Sequence, residues 1–247
     1  MIDHPTIKLL GYKIFSGEKD FFSSPVSGVV NTLSPHSYIV ARNDDMFREA
    51  LMASDFLIPD GIGIVMAVKY LNGVKIKRIT GSDIHEVIRR SLNNKKGSCF
   101  YLGSSDRTLD IIKAKVQKEH PVVRTGSFSP PFRNQFSEAD NTLMINAVND
   151  FRPDVLFVGM TAPKQEKWVH DHCQQLNVRL ICSIGAVFDF YAGTVKRPGK
   201  FWISLGLEWL PRLLREPLRL WRRTLISTPE FIWCVLREKI MSKKTQG

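Results

Sequence analysis

Two short apolar runs, at residues 154–159 and 178–184, most constrain what this chain can fold into. The first, DVLFVG, is typical of a buried strand, and the residues after it turn through Pro163 into a helical pattern. The second, VRLICSI, is followed by the glycine-bounded loop GAVFDFYAG. Two parallel strands would therefore end side by side, and ligands of open parallel sheets bind beyond the carboxyl ends of the strands. The residues predicted to face that crevice are Lys164, Gln165 and Glu166 after the first strand, and Gly185 and Asp189 after the second.

The alternation of strand and helix extends through the rest of the chain. Further strands are predicted at residues 27–34, 55–60 and 98–105, and helices at 35–52, 61–71, 84–92, 106–120 and 137–151. Ser82 is the predicted cap of the helix at 84–92, and the proline-bearing segment 124–136 is predicted to be irregular. Such alternation is typical of a doubly wound, Rossmann-like α/β fold with a mostly parallel sheet.

The length of 247 residues suits one α/β domain with an appendage, and 43% hydrophobic content is enough for a core. We predict a Rossmann-like core at residues 1–196 and a basic, amphipathic, helical appendage at 197–247. No apolar run reaches the roughly 18 residues of a membrane span, and the N-terminus lacks the pattern of a signal peptide. The four cysteines have no CxxC spacing, which favours reduced thiols. These features predict a cytoplasmic location.

The net charge of +11 is concentrated in the predicted appendage. Residues 197–247 hold eleven Lys and Arg against four Asp and Glu, and so supply +7 of the total. A basic tail fits nucleic acid, a membrane surface or a phosphorylated ligand, and charge alone does not choose among them.

Three motifs that could indicate a cofactor or a metal are incomplete. Gly61 and Gly63 form half of a dinucleotide fingerprint, but the third glycine is missing. His170 and His172 are two positions apart on a predicted helix, so they point about 200° apart and cannot share one ion. No DxD triplet is present to hold Mg²⁺ on a nucleotide diphosphate. We therefore expect no metal cofactor, and a pyrophosphate ligand would need cations from the protein.

Polar or small residues fall at or just beyond several predicted strand ends: Thr32, Asp60, Gly103, Gln165 and Asp189. A lone acidic residue in a turn is usually only solvated or capping. A site assembled across a parallel sheet, however, requires groups from several strand ends. Asp60 is therefore a candidate functional residue.

Six segments of the chain carry a resemblance to a known family. They are PDGIG at 59–63, RITGSD at 78–83, VGMTAPKQEKWV at 158–169, GAVFDFYAG at 185–193, KRPGKFW at 196–202 and GLEWLPRLLREPLRLWRR at 206–223. In this order they resemble the WecG/TagA/CpsF family of bacterial glycosyltransferases, over roughly residues 25–225. The combination of PKQE with GLEW-x-x-R-x-x-x-x-P is specific.

The resemblance implies a metal-independent, inverting transfer of a sugar, commonly of the N-acetylmannosamine type, from a UDP-sugar to a polyprenyl-pyrophosphate-linked acceptor sugar. The family's products enter teichoic acid linkage units, enterobacterial common antigen or exopolysaccharide. Its fold is a Rossmann-like core with a C-terminal appendage, which agrees with the alternation above.

The family's site residues are matched position by position. Asp60 corresponds to the proposed catalytic base and Thr32 to an active-site threonine. Arg78 and Gln165 correspond to an arginine and a glutamine of the sugar site. Ser34 stands where the family often has asparagine, a departure that affects one hydrogen bond to the sugar.

The tail is predicted to serve both the donor and the membrane. Arg212, Arg219 and Arg222 match arginines proposed to close on the donor diphosphate. With Arg215 they form a stripe about 80° wide, opposite a face of leucines and Trp221. Pro217 should interrupt this helix, and another should start at Thr228-Pro229. From about Trp221 onward, tryptophans, leucines and cations predict peripheral binding to the anionic inner face of the cell membrane.

Two alternatives remain open from the residues alone. A basic Rossmann-like protein could bind RNA or DNA, with Trp209, Trp221 and Trp233 stacking on bases. The second alternative is an inactive sensor of sugar nucleotides, and the only residue that favours it is Ser34. The transferase hypothesis predicts no nucleic acid partner. It does not decide whether the protein forms a homo-oligomer.

Overall fold

The computed structural model describes residues 4–195, 199 and 221–245. Within these residues the strands are β1 (Thr6–Leu9), β2 (Tyr12–Phe15), β3 (Gly28–Leu33), β4 (Phe56–Pro59), β5 (Ser98–Gly103), β6 (Arg124–Phe128), β7 (Val155–Gly159) and β8 (Leu180–Ser183). The α-helices are α1 (Pro35–Arg42), α2 (Asp45–Met52), α3 (Ile62–Asn72), α4 (Gly81–Lys95), α5 (Asp106–Glu119), α6 (Glu138–Phe151), α7 (Lys164–His172), α8 (Val187–Ala192) and α9 (Thr228–Thr245). Two short 3₁₀ turns, Lys19–Ser23 and Cys173–Gln175, and a π-helical segment, Arg222–Ser227, complete the described elements.

Strands β3 to β8 form one parallel sheet in the order β4-β3-β8-β7-β5-β6. The predicted Rossmann-like α/β fold is therefore confirmed. The two strands that organise the sequence, β7 and β8, lie side by side with Val158 opposite Ser183. Each is followed directly by a loop and a helix, as the pattern of residues 154–190 predicts.

Helices cover both faces of this sheet. In β7, Val155 and Phe157 pack into a core cluster with α4, α5 and α8, whereas Leu156 and Val158 pack into a cluster with α6 and α7. Helices α1, α2, α3 and α9 share a third cluster with Leu33 of β3 and others. Burial on both faces explains why the strands are almost continuously apolar rather than alternating.

The predicted helix at residues 35–52 is wrong in one respect, because it consists of two helices. Asn43 ends α1, and Asp44 then adopts an extended conformation as the cap of α2. The carboxylate of Asp44 accepts the backbone N–H of Phe47 at 3.1 Å. A capping aspartate competes with helix continuation, so the helical periodicity on either side did not reveal the break.

The cap of α4 is Thr80 rather than Ser82. The hydroxyl of Thr80 accepts the N–H of Asp83 at 3.2 Å, and the carboxylate of Asp83 accepts the N–H of Thr80 at 2.9 Å. This reciprocal pair satisfies two donors that the first helical turn leaves unpaired. Ser82 lies inside the first turn.

Residues 124–128 of the segment predicted to be irregular form the edge strand β6. The strand pairs in parallel with β5, with Arg124 opposite Ser98 and Phe128 opposite Leu102. Gly126 lets two rings approach, because a Cβ there would lie 2.6 Å from the Phe100 ring. The local sequence RTGSF lacks an apolar run, so the strand depends on its neighbour. The N-terminal hairpin of β1 and β2 is a separate two-stranded sheet.

The last described helix, α9, begins at Thr228 as predicted, directly after the π-helical segment. Phe231 and Val235 are buried in the cluster shared with α1 and α3. An ion pair of 3.3 Å joins Glu230 to Arg42 of α1. The tail therefore returns to the core. The four cysteines are unpaired, as predicted.

Candidate functional site

The carboxyl ends of β4, β3, β8 and β7 meet along one edge of the sheet, which we call the carboxyl-edge crevice. The neighbouring strands are parallel, so the residues that follow each strand converge there. Asp60 follows β4, Ser34 follows β3, Gly185 lies just beyond β8, and Met160 follows β7. The structure thus brings most of the predicted site residues to one edge.

Asp60 and Thr32 lie at one corner of the crevice. The backbone N–H of Asp60 donates to the carbonyl of Leu33 at 2.9 Å, which ties the residue after β4 to the end of β3. Thr32 stands opposite Ile58, two residues before Asp60. Both side chains are half-buried. Their backbone positions are held by regular sheet pairing, which makes the corner rigid.

Arg78 lies in the segment that pairs with the end of β4, next to this corner. The N–H of the next residue, Ile79, donates to the carbonyl of Pro59 at 3.2 Å and so extends the pairing beyond the end of β4. Arg78 is half-buried. A guanidinium next to the residue that carries a carboxylate can bind a sugar hydroxyl or a phosphate oxygen.

Ser34 serves as a helix cap. Its hydroxyl accepts the N–H of Ser37 at 3.1 Å, and the Ser37 hydroxyl accepts the N–H of Ser34 at 2.7 Å. The side chain that stands where the family often has asparagine is therefore engaged in starting α1.

Gln165 and Glu166 lie at the start of α7 but are buried, with 3% and 2% of their surfaces exposed. The amide oxygen of Gln165 accepts the N–H of Met160 at 3.2 Å, and its nitrogen donates to the carboxyl of Glu166 at 2.8 Å. Burial raises the pKa of Glu166 to about 7. Lys164 turns away, because its ammonium donates to the carbonyl of Arg133 and lies 3.5 Å from the centre of the Phe136 ring.

The two candidate glycines have different roles. Gly103, with φ +120°, lies so close to β7 that a Cβ would be 2.5 Å from the carbonyl oxygen of Gly159. Its small size is explained by packing between strands. Gly185, with φ +51°, lies against Gln165, where a Cβ would be 3.5 Å from both polar atoms of the amide.

Asp189 closes the loop that follows α8. Its carbonyl accepts the N–H groups of Gly193 at 3.0 Å and Val195 at 3.3 Å, and its carboxylate accepts the Thr194 hydroxyl at 3.4 Å. The side chain is half-buried. These contacts hold residues 193–195 against the end of α8.

The tail reaches the same side of the molecule through two residues that the sequence patterns did not single out. His36, in the first turn of α1, lies 2.9 Å from the hydroxyl of Ser227 in the π-helical segment. Burial and then the positive charge of Arg223 lower the pKa of His36. Arg222 is exposed, with its guanidinium 5.4 Å from the Trp221 ring centre. Arg212 and Arg219 lie outside the described residues.

A cleft of about 350 Å³ lies between α4, α5 and α8. Its walls include Ser82, which follows the Arg78 segment, and Phe190, which follows Asp189. Deeper in the cleft, the buried guanidinium of Arg89 donates to Glu119 and to the Tyr191 hydroxyl, both at 2.8 Å. This network holds the end of α8, and no periodic pattern of the residues indicates it.

No group of three or more His, Cys, Asp or Glu side chains in the described part of the chain is arranged to hold a metal ion. No helix in that part is both long and apolar enough to cross a membrane.

Comparison with known proteins gives consistent matches over most of the chain. The model of the glycosyl transferase WecG/TagA/CpsF family matches residues 17–245. A protein of Bacillus subtilis (strain 168), named N-acetylglucosaminyldiphosphoundecaprenol N-acetyl-beta-D-mannosaminyltransferase, is 30% identical over 228 residues, covering 92% of this chain and 86% of the relative. Proteins of the same name from Bacillus spizizenii and Staphylococcus aureus (strain MW2) are 27% and 24% identical, each over 92% of this chain and over 86% and 88% of their own lengths.

Proposed function

Because this chain belongs to the WecG/TagA/CpsF family of glycosyl transferases, we propose that it moves an N-acetylmannosamine-type sugar from a UDP-sugar to a polyprenyl-diphosphate-linked N-acetylglucosamine. The names of the relatives support this donor sugar and this acceptor. The observation that carries the proposal is the corner where backbone pairing places Asp60, Thr32 and the Arg78 segment on neighbouring strand ends. Products of such a transfer would enter cell-surface polysaccharide or teichoic acid synthesis.

Asp60 is proposed as the catalytic base. The acceptor hydroxyl oxygen attacks the anomeric carbon, and Asp60 takes the hydroxyl proton while the bond from that carbon to the UDP oxygen breaks. Attack from the face opposite the leaving UDP inverts the anomeric configuration. The sheet pairing of Asp60 with Leu33 supports this role, because a base must be held in place relative to the attacking group.

The leaving UDP requires positive charge, which we assign to arginines rather than to a metal ion. Guanidinium groups bind phosphate oxygens through two parallel hydrogen bonds and stay charged at physiological pH. The contact of 2.9 Å between Ser227 and His36, in the first turn of α1, supports a tail that reaches the crevice. In this proposal Arg212, Arg219 and Arg222 close over the diphosphate.

The transferase proposal is tested with a panel of UDP-sugars and a lipid-diphosphate-linked N-acetylglucosamine acceptor. We expect UDP release with UDP-N-acetylmannosamine, at the same rate with and without a chelator such as EDTA. Omission of the acceptor is the control for hydrolysis. If no donor in the panel yields UDP, the enzymatic proposal is wrong and a sensor is favoured; a loss of activity in EDTA would refute only the metal independence.

We further propose that α9 holds the enzyme on the anionic inner face of the cell membrane. One side of α9 is buried, but Trp233 and Ile240 on the opposite side are 66% and 58% exposed, and Ile232 on the flank is 52% exposed. Arg237 is exposed on the same helix, and Arg223 is exposed just before it. Exposed apolar side chains beside cations suit the interface of an anionic bilayer. Such binding would bring the enzyme to a lipid-linked acceptor.

The membrane proposal predicts that Trp233→Ser with Ile240→Ser reduces co-sedimentation with anionic liposomes by at least about tenfold, since each inserted apolar side chain contributes about 1.5–3 kcal/mol. Deletion of α9 would be a poorer test, because it removes Phe231 and Val235 from the core. Leu143→Ser on α6 is the matched control, with the same 58% exposure as Ile240. Unchanged sedimentation of the double variant would refute a membrane role for this face.

A further inference from the structure

Glu166 is a buried acidic residue that the proposed reaction does not use. Only 2% of its surface is exposed. One carboxyl oxygen accepts from Gln165, while the other is buried without a hydrogen-bond partner among the described residues. Burying such a group costs free energy, and an apolar side chain of similar volume would pack without that cost. Packing alone therefore does not account for a carboxyl at this position.

The carboxyl of Glu166 is one of two groups that favour a single orientation of the Gln165 amide. A glutamine amide has an accepting oxygen and a nitrogen with two hydrogens, and the two ends can exchange by rotation. Here the oxygen of Gln165 accepts the N–H of Met160 at 3.2 Å, and the nitrogen donates one hydrogen to Glu166 at 2.8 Å. Both contacts favour the same orientation. The amide nitrogen carries a second hydrogen, which neither contact uses.

The oriented amide lies between the ends of two central strands. Met160 directly follows β7, and Gly185 lies two residues beyond β8. A side chain at Gly185 would begin 3.5 Å from both polar atoms of Gln165, so the glycine leaves room above the amide. Gln165 therefore forms part of the floor of the carboxyl-edge crevice, where ligands of parallel sheets bind.

We propose that Glu166 is a positioning residue for the donor sugar: it holds the Gln165 amide so that the remaining N–H donates to an oxygen of the sugar. This inference rests on the proposed function, because it needs a sugar nucleotide in the crevice. It assigns the pair to the sugar and not to UDP. Glu166 itself does not touch the substrate.

Two substitutions of similar size separate positioning from packing. Glu166→Gln keeps an oxygen that can accept from Gln165, whereas Glu166→Met keeps the length but removes the acceptor. With acceptor lipid saturating, we expect Glu166→Met to raise the KM for the UDP-sugar about tenfold, the usual effect of one lost hydrogen bond. The kcat should stay within about threefold, because ground state and transition state lose the same contact. Glu166→Gln should restore the KM to within about threefold of wild type.

Binding of UDP and a double-mutant cycle complete the test. The inhibition constant of UDP should be the same in wild type and Glu166→Met. Gln165→Ala should raise the KM as Glu166→Met does, and the double variant should be no worse than Gln165→Ala, since Glu166 acts through that amide. Thermal melting at pH 6 verifies that each variant is folded.

Three results would overturn the inference: a wild-type KM in Glu166→Met, an equal rise in the UDP inhibition constant, or additive effects in the double variant. Wild-type enzyme that releases no UDP from any donor would instead refute the proposed function, and the positioning role with it. Wild-type activity with unaltered Glu166→Met kinetics refutes the positioning role alone.

Discussion

Asp60→Asn should lower kcat for sugar transfer by about 10²–10⁴-fold, the range over which a general base contributes. The amide has the shape of the carboxylate but cannot take the proton of the attacking hydroxyl. The backbone contact from Asp60 to Leu33 involves only main-chain atoms, so the corner should keep its geometry. The affinity for UDP should remain within about twofold, because the arginines proposed to hold the diphosphate are unchanged. UDP release and calorimetric titration with UDP measure the two effects.

The matched control for Asp60→Asn is Asp150→Asn. Asp150 is exposed near the end of α6, which leads into the amino end of β7 and so lies opposite the crevice. The same chemical change there should leave both quantities unaltered. Near-wild-type turnover by Asp60→Asn would show that another group is the base, and a parallel loss of UDP affinity would assign Asp60 to donor binding instead.

Glu166→Gln should stabilise the fold at pH 8 but not at pH 5. Burial raises the pKa of Glu166 to about 7 from an ordinary value of 4.5. Between these values the folded protein holds a proton that the unfolded chain has released, so the free energy of unfolding falls as pH rises through this window. The loss is complete above about pH 7 and amounts to on the order of 3 kcal/mol. Glutamine is neutral throughout and avoids this loss.

The measurement is urea unfolding of the wild type and of Glu166→Gln at pH 5 and pH 8. The difference in free energy of unfolding between the two proteins isolates the contribution of Glu166. Burial lowers the pKa of His36 and of His85, so these groups add stability as pH rises through the same window and oppose the effect of Glu166 in either protein. Glu138→Gln, at an exposed position on α6, is the control. If Glu166→Gln gains no more at pH 8 than at pH 5, the carboxyl is not buried as a neutral acid.

The central strands could be predicted from the sequence, while the edge strand could not. Runs such as DVLFVG are apolar because both faces of the strand are buried, so the residue types alone predict a central strand. The residues of β6, RTGSF, are half-buried or exposed, and only pairing with β5 makes them a strand. The break between α1 and α2 depends on one capping side chain, Asp44, within an otherwise continuous helical pattern.

The candidate site divides in a similar way. The position of Asp60 directly after an apolar strand could be read from residues 55–60, and the family resemblance indicated its role. The burial of Glu166 could not be read from the sequence, because it lies in the polar run PKQEKWV. Only the surrounding layers of the fold remove its side chain from water. The docking of α9 on the core was not predicted either, because Phe231 and Val235 pack against helices that lie far away in the chain.

The sequence by itself determined the order of the central strands and most of the helices, the residues that follow those strands, and the membership of a glycosyltransferase family. These features depend on local periodicity and short motifs, which each segment carries independently of the others. Only the tertiary structure decided that β3 lies between β4 and β8, and therefore that Asp60 and the Gln165–Glu166 pair share one edge. Pairing of parallel strands joins segments that are distant in the chain, and the choice of neighbour is made by the packing of both sheet faces rather than by the residues of any one strand.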